Sequence, residues 1–494
     1  MSARPYEALH QAIGLLLIGA ALLLSACGRS PGAPAGAGNT APRAAQSTLA
    51  APIVEGPISG GLRGRPWAGT VEALAPLTPF DYVQEEFFFE GTAQSRDQFG
   101  EPSGFTADYR SRLLVQRPRD PARFNGTVFV EWLNVTGEME IAVLWALTHP
   151  ELLREGYAYV GVSVQSVGVN SSPLALKFWD PLRYASLRHP GDAFEFDIFS
   201  QAARALVARD GPAPLGDLQA RRLIGGGESQ SADLMISYAN RVQQDHQVFD
   251  GFFLHTWPGP IKTDIDVPVL MFLTETESDG LTSPLGPYDV EDLAAIGSIP
   301  GAGPLRAPTP RAPSVDHAQL RVWELAGATH LDSQALEYVV AQLAQDLPAP
   351  VSLPPLFAPP VVCVLPPNQL AMARPTRAAL HQLDRWMRSG RAPPSQPRLV
   401  RNDHGRLERD ADGFVLAGIR MPNYAVPLGL NRGDSCVLLG TYRAWTDITL
   451  RERYGDAATF RAAFAAAAQR NVEAGTLLPE DAEAAIREVE ALTF

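Results

Sequence analysis

The stretch Arg221–Val242, RRLIGGGESQSADLMISYANRV, decides how this chain is read. It opens as an apolar strand and passes through three glycines and a serine. Apolar residues then follow at Met235, Tyr238, Ala239 and Val242, the i, i+3, i+4, i+7 spacing of one helix face. Strand, turn and helix put Ser229 at the apex of a tight bend. The local pattern Gly227-Glu228-Ser229-Gln230-Ser231 departs from G-x-S-x-G only in its last position. Small residues flank such a serine because the turn is strained and the helix lies close to the strand. A Gly-rich turn whose serine merely caps the helix would look similar, so the residues downstream decide between the two.

A serine hydroxyl is a weak nucleophile at its own pKa. It needs a base within hydrogen-bond reach and a carboxylate to orient that base. Both are present, in the order serine, acid, histidine. After VPVLMFL comes Thr274-Glu275-Thr276-Glu277-Ser278-Asp279, three carboxylates at the end of a buried-looking strand. After RVWELAGAT comes His330, the one histidine of nine that follows a strand and a small-residue turn and precedes a helix. Acyl transfer also needs donors for an oxyanion. The backbone N–H of Gln230 is one candidate. The turn Asn134-Val135-Thr136-Gly137, after the strand GTVFVEWLN, supplies the other, with Asn134 and Val135 the donors in view.

Around these motifs the pattern is α/β. Two antiparallel runs, Tyr82–Ala93 and Tyr109–Pro118, come first. Strands are then expected at Thr127–Trp132, Ala158–Val164, Arg222–Gly226, Val248–Leu254, Val267–Thr274 and Gln319–Leu325. Helices are expected between them near Glu138–Arg154, Phe196–Ala208, Ser229–Gln244 and Asp332–Leu347. Such alternation predicts a mostly parallel, doubly wound sheet. From Pro348 the Pro-rich run PAPVSLPPLFAPPVVCVLPP opens a region with a helix at Ala378–Ser389, a hairpin over Leu399–Ile419, and a final helical pair, Ala458–Gly475 and Pro479–Leu492. The expected organisation is a leader over 1–27, a flexible Gly/Ala/Pro/Ser-rich tether over 28–56, a core over 57–355, and an integral extension packed on it over 356–494.

Composition narrows the class. With 494 residues, 46% apolar and 19% charged, the chain can bury a large core. Acidic residues outnumber basic ones, 54 to 41, and no Lys/Arg run appears, so no nucleic-acid partner is expected. No CxxC, HExxH or phosphate-cradling motif is present, so neither a metal nor any other cofactor is expected. The apolar run Ala12–Leu24 is short for a membrane span. It ends in Leu24-Ser25-Ala26-Cys27, which resembles the lipobox of bacterial lipoproteins and implies lipid on Cys27; an uncleaved anchor is the alternative. Gly28 after that cysteine suggests, by resemblance to Gram-negative lipoproteins, the outer membrane seen from the periplasm. The expected contact with membrane is through that lipid alone. In an oxidising compartment the two remaining cysteines, Cys363 and Cys436, are expected to pair, with two buried thiols as the alternative.

The runs FNGTVFVEWLNVTG, DPLRYASLRHPGDAFEFDIFSQAARAL, GESQSADLMISYANRV, GFFLHT, PVLMFLTETE, LAGATH and GIRMPNYAVPLGLNRG resemble a bacterial family of exported α/β-hydrolase-domain proteins whose serine turn reads SQSA. The resemblance runs from about Pro57 to the end of the chain. It implies the α/β-hydrolase fold and a serine, acid and histidine at Ser229, Glu277 and His330. In general α/β hydrolases the acid strand reads P-V-L-x-x-x-G-x-x-D, and counting from Pro268 places Glu277 at the acid, where aspartate is commoner; Glu275 and Asp279 remain alternatives. Arg183, Tyr184, His189 and Asp192, in RYASLRHPGD, lie on the loop side of the sheet as pocket or structural residues, the structural role being favoured. The expected activity is hydrolysis of a small-molecule carboxylic ester through an acyl-enzyme. A peptidase on the same residues, or an idle hydrolase fold serving as a surface binding module, are the competing readings.

Overall fold

The long antiparallel pair β2 (Tyr82–Arg96) and β3 (Pro102–Pro118) opens the sheet, and every later strand is added on its far side. This computed structural model describes residues 41–208, 211–278, 282–283, 286–287, 314–347 and 365–494. The leader with Cys27, together with Asp279 and Cys363, lies outside them; Cys436 is described and buried.

The remaining strands are β1 (Ile53–Glu55), β4 (Thr127–Trp132), β5 (Ala158–Val162), β6 (Arg222–Glu228), β7 (Gly251–His255), β8 (Val269–Leu273) and β9 (Leu320–Glu324). Their order in one nine-stranded sheet is β1-β2-β3-β5-β4-β6-β7-β8-β9. The first three pairings are antiparallel; from β5 onward all are parallel. The fold is therefore the α/β-hydrolase fold, a mostly parallel sheet flanked by helices. Strands covered on both faces read as continuous apolar runs rather than alternating ones. VLMFL of β8 is buried at all five positions, and apolar clusters lie on both faces of the sheet.

Helices α1 (Val143–Arg154), α2 (Glu195–Ala205), α3 (Gln230–Ser237, continued by a π turn to Val242) and α4 (Ser333–Asp346) connect the strands. The expected start of α1 at Glu138 falls five residues early. Residues 134–141 instead close a turn through the Asn134–Ile141 bridge. The helix begins where the carboxylate of Glu131, buried in β4, accepts the N–H groups of Leu144 (2.9 Å) and Trp145 (3.0 Å). A carboxylate at a helix N-terminus meets both the orphan donors and the dipole.

Two expectations need correction. Residues 41–56, expected to belong to the flexible tether, are docked. The Arg43 guanidinium pairs with Asp266 at 2.6 Å, Ala44 is buried, and β1 pairs with β2 from Ile53↔Glu90 to Glu55↔Phe88. The run Leu399–Ile419 is not one hairpin. Short bridges Arg401↔Leu407 and Arg409↔Val415 are nested inside Leu399↔Ala417, because turns at Gly405 and Gly413 each reverse the chain. The strand pair β10 (Gly429–Arg432) with β11 (Thr441–Ala444) was not foreseen.

Within residues 365–494 several segments pack on the core. Helix α5 (Ala373–Ser389) lies against β7, β8 and α1. Its Asp384 accepts from Thr127 Oγ1 (2.7 Å) and Tyr157 OH (2.9 Å). Ile419 extends the sheet edge, bonding to the backbone of Glu324 and Ala326. The final pair, α6 (Ala457–Glu473) and α7 (Pro479–Val489), packs together around Phe460 and Phe464. Among the described residues no helix is long and apolar enough to cross a membrane.

Candidate active site

Ser229 occupies the bend between β6 and α3 with φ 56° and ψ −123°, a conformation that a residue bearing a side chain adopts only when its surroundings impose it. Its N–H donates to His255 O at 2.9 Å, tying the bend to β7. Gly227 is required by space: a Cβ there would lie 2.7 Å from the backbone of Ser231. Ser231, at the position where glycine was expected, is fully buried. Its hydroxyl accepts from Glu228 N (3.0 Å) and donates to Glu228 O (2.9 Å). The serine thus closes the turn with two hydrogen bonds that a glycine would lack.

The structure brings Ser229, His330 and Glu277 together across 101 residues of chain. His330 Nε2 is 2.8 Å from Ser229 Oγ, and its Nδ1 is 2.5 Å from Glu277 Oε1. The second oxygen of Glu277 accepts from Thr274 N (2.8 Å) and Thr274 Oγ1 (2.7 Å), which fixes the carboxylate toward the ring. An oxygen acceptor facing Nδ1 places the ring proton there and leaves Nε2 to accept from the serine hydroxyl. Burial disfavours the charged ring, but the hydrogen bond and charge of Glu277, with the charge of Glu228, outweigh it and hold the His330 pKa above the usual histidine value.

The neighbouring carboxylate, Glu275, is placed differently. Glu275 faces away from the ring, accepting from Gly327 N (2.6 Å), Gly433 N (3.1 Å) and Arg409 Nη2 (2.9 Å). The turn that carries His330 is strapped from the same side. Leu331 N (3.0 Å) and Thr329 Oγ1 (2.8 Å) both donate to Leu438 O, while Thr276 Oγ1 donates to Gly433 O (2.7 Å).

Sequence similarity now adds to this geometry. Residues 54–487 match the family described as alpha/beta hydrolase domain. The chain belongs to that alpha/beta hydrolase family. Solved structures similar to it include esterase Est22, at 13% identity and TM-score 0.28, covering 56% of this chain and 72% of that one. A cold-adapted esterase from an Arctic intertidal metagenomic library matches at 12% identity and TM-score 0.26, covering 54% and 95%. A structure described as a putative dienelactone hydrolase from Klebsiella pneumoniae matches at 14% identity and TM-score 0.23, covering 48% and 87%. No curated protein matches.

Within this alpha/beta hydrolase the expected oxyanion donors differ from one another. Gln230 is the first residue of α3, where a backbone N–H has no intrahelical acceptor. Asn134 has its donors engaged: its backbone N–H bonds Ile141 O (3.2 Å), and its amide bonds Glu228 O (3.0 Å) and Glu228 Oε2 (3.1 Å). Val135, next along the same turn, is left as the candidate there. Arg183 and Tyr184 bind Glu86 at 2.6 and 2.8 Å, His189 bonds Val164 O at 2.6 Å, and Asp192 accepts from Ser166 N at 2.7 Å. All four brace loops. Among the described residues no cluster of three or more His, Cys, Asp or Glu side chains has a metal-binding arrangement.

One residue of the site was missed in the sequence. Glu228, 4% exposed, has Oε1 3.5 Å from His330 Nε2. Its signal was a charged residue directly after Leu223-Ile224-Gly225-Gly226-Gly227 and immediately before the apex serine.

Proposed function

We propose that the chain is a serine hydrolase of carboxylic esters. The observation that carries this reading is the continuous path of hydrogen bonds from Glu277 through both nitrogens of His330 to Ser229 Oγ. In this mechanism Oγ attacks the ester carbonyl as Nε2 takes its proton, and the negative oxygen is met by the Gln230 N–H and the Val135 N–H. The alcohol leaves with the proton returned from Nε2. Water, deprotonated by the same nitrogen, then attacks the acyl-serine, releasing acid and free Ser229. Glu277 keeps the ring oriented and offsets its positive charge. No cofactor enters any step.

The same proposal places the protein outside the cytoplasm as a lipoprotein anchored through Cys27, periplasmic or in the outer membrane, with Cys363 and Cys436 paired. The leader's lipobox-like sequence supports that reading. The deciding experiment is labelling by a fluorophosphonate probe alongside hydrolysis of short-chain, long-chain and aromatic esters. Wild type is expected to label and turn over, and Ser229→Ala to do neither. Full turnover by Ser229→Ala would remove the reading. A well-folded wild type that neither labels nor hydrolyses any ester would point to a binding module.

A further inference from the structure

Two carboxylates, not one, face the His330 ring. Glu277 meets Nδ1; Glu228 Oε1 stands 3.5 Å from Nε2, the nitrogen that faces the serine. An acidic residue beside a nucleophile could be incidental, but this one is built in. Thr256 Oγ1 donates to Glu228 Oε1 at 3.0 Å and Asn134 Nδ2 to Oε2 at 3.1 Å. Thr256 is fully buried and has φ 53°, a left-handed conformation unusual for a β-branched residue. Strain of that kind persists where the surroundings fix a side chain in place. Here it directs a hydroxyl onto one oxygen of Glu228, and the amide of Asn134, which the sequence had suggested for the oxyanion, holds the other.

We propose that Glu228 is a positioning residue: clamped by Thr256 and Asn134 beside the serine-facing edge of His330, its carboxylate stabilises the imidazolium formed when Nε2 takes the Ser229 proton. No bond is made or broken at Glu228 itself. The proton passes from Oγ to Nε2 and on to the leaving alcohol, while Glu228 supplies only negative charge. A carboxylate within 4 Å of a ring in a buried site favours the charged ring strongly, because little water screens the pair. The inference rests on the serine-hydrolase reading.

The titratable groups facing Glu228 are His330, Glu277 and Glu131, joined by the neutral donors Thr256 and Asn134. Burial pushes the Glu228 carboxyl up to about 7, and the charge of Glu277 adds to that; the His330 charge and the two donors act the other way. Ring and carboxylate therefore titrate as a pair, each favouring the charged form of the other.

The test is the pH dependence of kcat/KM for p-nitrophenyl acetate in wild type, Glu228→Gln, Glu228→Asp, Thr256→Ala and Ser229→Ala. His330 must be neutral to accept the serine proton, so the acidic limb reports its pKa. Glu228→Gln is expected to move that limb down by about one pH unit and to lower the plateau at least about tenfold. Glu228→Asp, which restores the charge, is expected to return the limb toward wild type. Thr256→Ala, which removes only the clamp, is expected to shift it in the same direction as Gln but less, and keeps the test open if Glu228→Gln does not fold. A limb that stays in place in Glu228→Gln, or in Thr256→Ala alone if only that variant folds, overturns the proposal whatever the plateau does, since a purely structural role changes rate without moving the limb. Activity surviving in Ser229→Ala overturns the hydrolase reading itself, and the role of Glu228 with it.

Discussion

Glu275 and Glu277 stand on the same helical turn and face opposite ways: Glu277 Oε1 lies 2.5 Å from His330 Nδ1, whereas Glu275 is enclosed by Gly327 N, Gly433 N and Arg409. One carboxylate serves the ring and its neighbour serves the scaffold, so the two substitutions should separate cleanly. Glu277→Gln is expected to lower kcat by about 10³ to 10⁴-fold with little loss of stability, the size seen when an orienting acid is neutralised. Glu275→Ala is expected to leave Arg409 facing Asp434 alone and to cost about 3 kcal/mol of stability. Steady-state kinetics and urea unfolding on both variants check the division; equal kinetic losses would contradict it.

Gly227→Ala tests the bend. A methyl group there would meet the Ser231 backbone at 2.7 Å, so either α3 or the serine must move. A shift of about 1 Å at a nucleophile costs on the order of 100-fold in rate. The expected outcome is a folded protein with normal circular dichroism and kcat/KM reduced by about that factor.

Glu131→Gln tests the buried helix cap. Burial raises the Glu131 carboxyl to about 8 against the donors that lower it, chiefly the Tyr159 hydroxyl at 2.6 Å. A carboxyl whose folded pKa exceeds its unfolded value binds its proton more tightly when folded. It therefore stabilises fully below about pH 4.5, and that contribution is lost as pH rises toward 8. Glutamine carries no such dependence. The difference in urea midpoint, variant minus wild type, is expected to rise between pH 5 and pH 8; a constant difference would show that Glu131 does not titrate in that window.

Asp384→Ala tests the union of extension and core. The substitution strips the partner from the buried Tyr157 hydroxyl and from Thr127, and unpairs Arg222. A loss of about 3 kcal/mol is expected, since buried groups are left unsatisfied. Calorimetry should show one transition shifted to lower temperature, not two.

The parts of this molecule that were legible in the sequence are those fixed by local pattern. β4 was bounded correctly because its apolar run begins at a Gly turn and ends at Leu133-Asn134, and the turns that carry Glu277 and His330 were legible as turns because each closes a buried strand. What escaped depends on contacts distant in the chain. Nothing near Arg43 announces Asp266 as its partner, so residues 41–56 read as tether by composition alone. Asn134 had the right residue type for an oxyanion donor, but its amide is committed to Glu228, 94 residues away. Glu228 itself reads as a solvated charge at a strand end, and it is the folded sheet, where Glu228 stands opposite His255, that leaves it buried.

The strap from Leu438 onto the loop of His330, with that from Gly433 onto Thr276 of the acid turn, bears on how the protein comes into being. A chain emerging from its N-terminus has its serine, acid and histidine long before these carbonyls arrive to seat the ring. Under the proposed hydrolase reading, chains cut before Leu438 are therefore expected to be silent rather than weakly active.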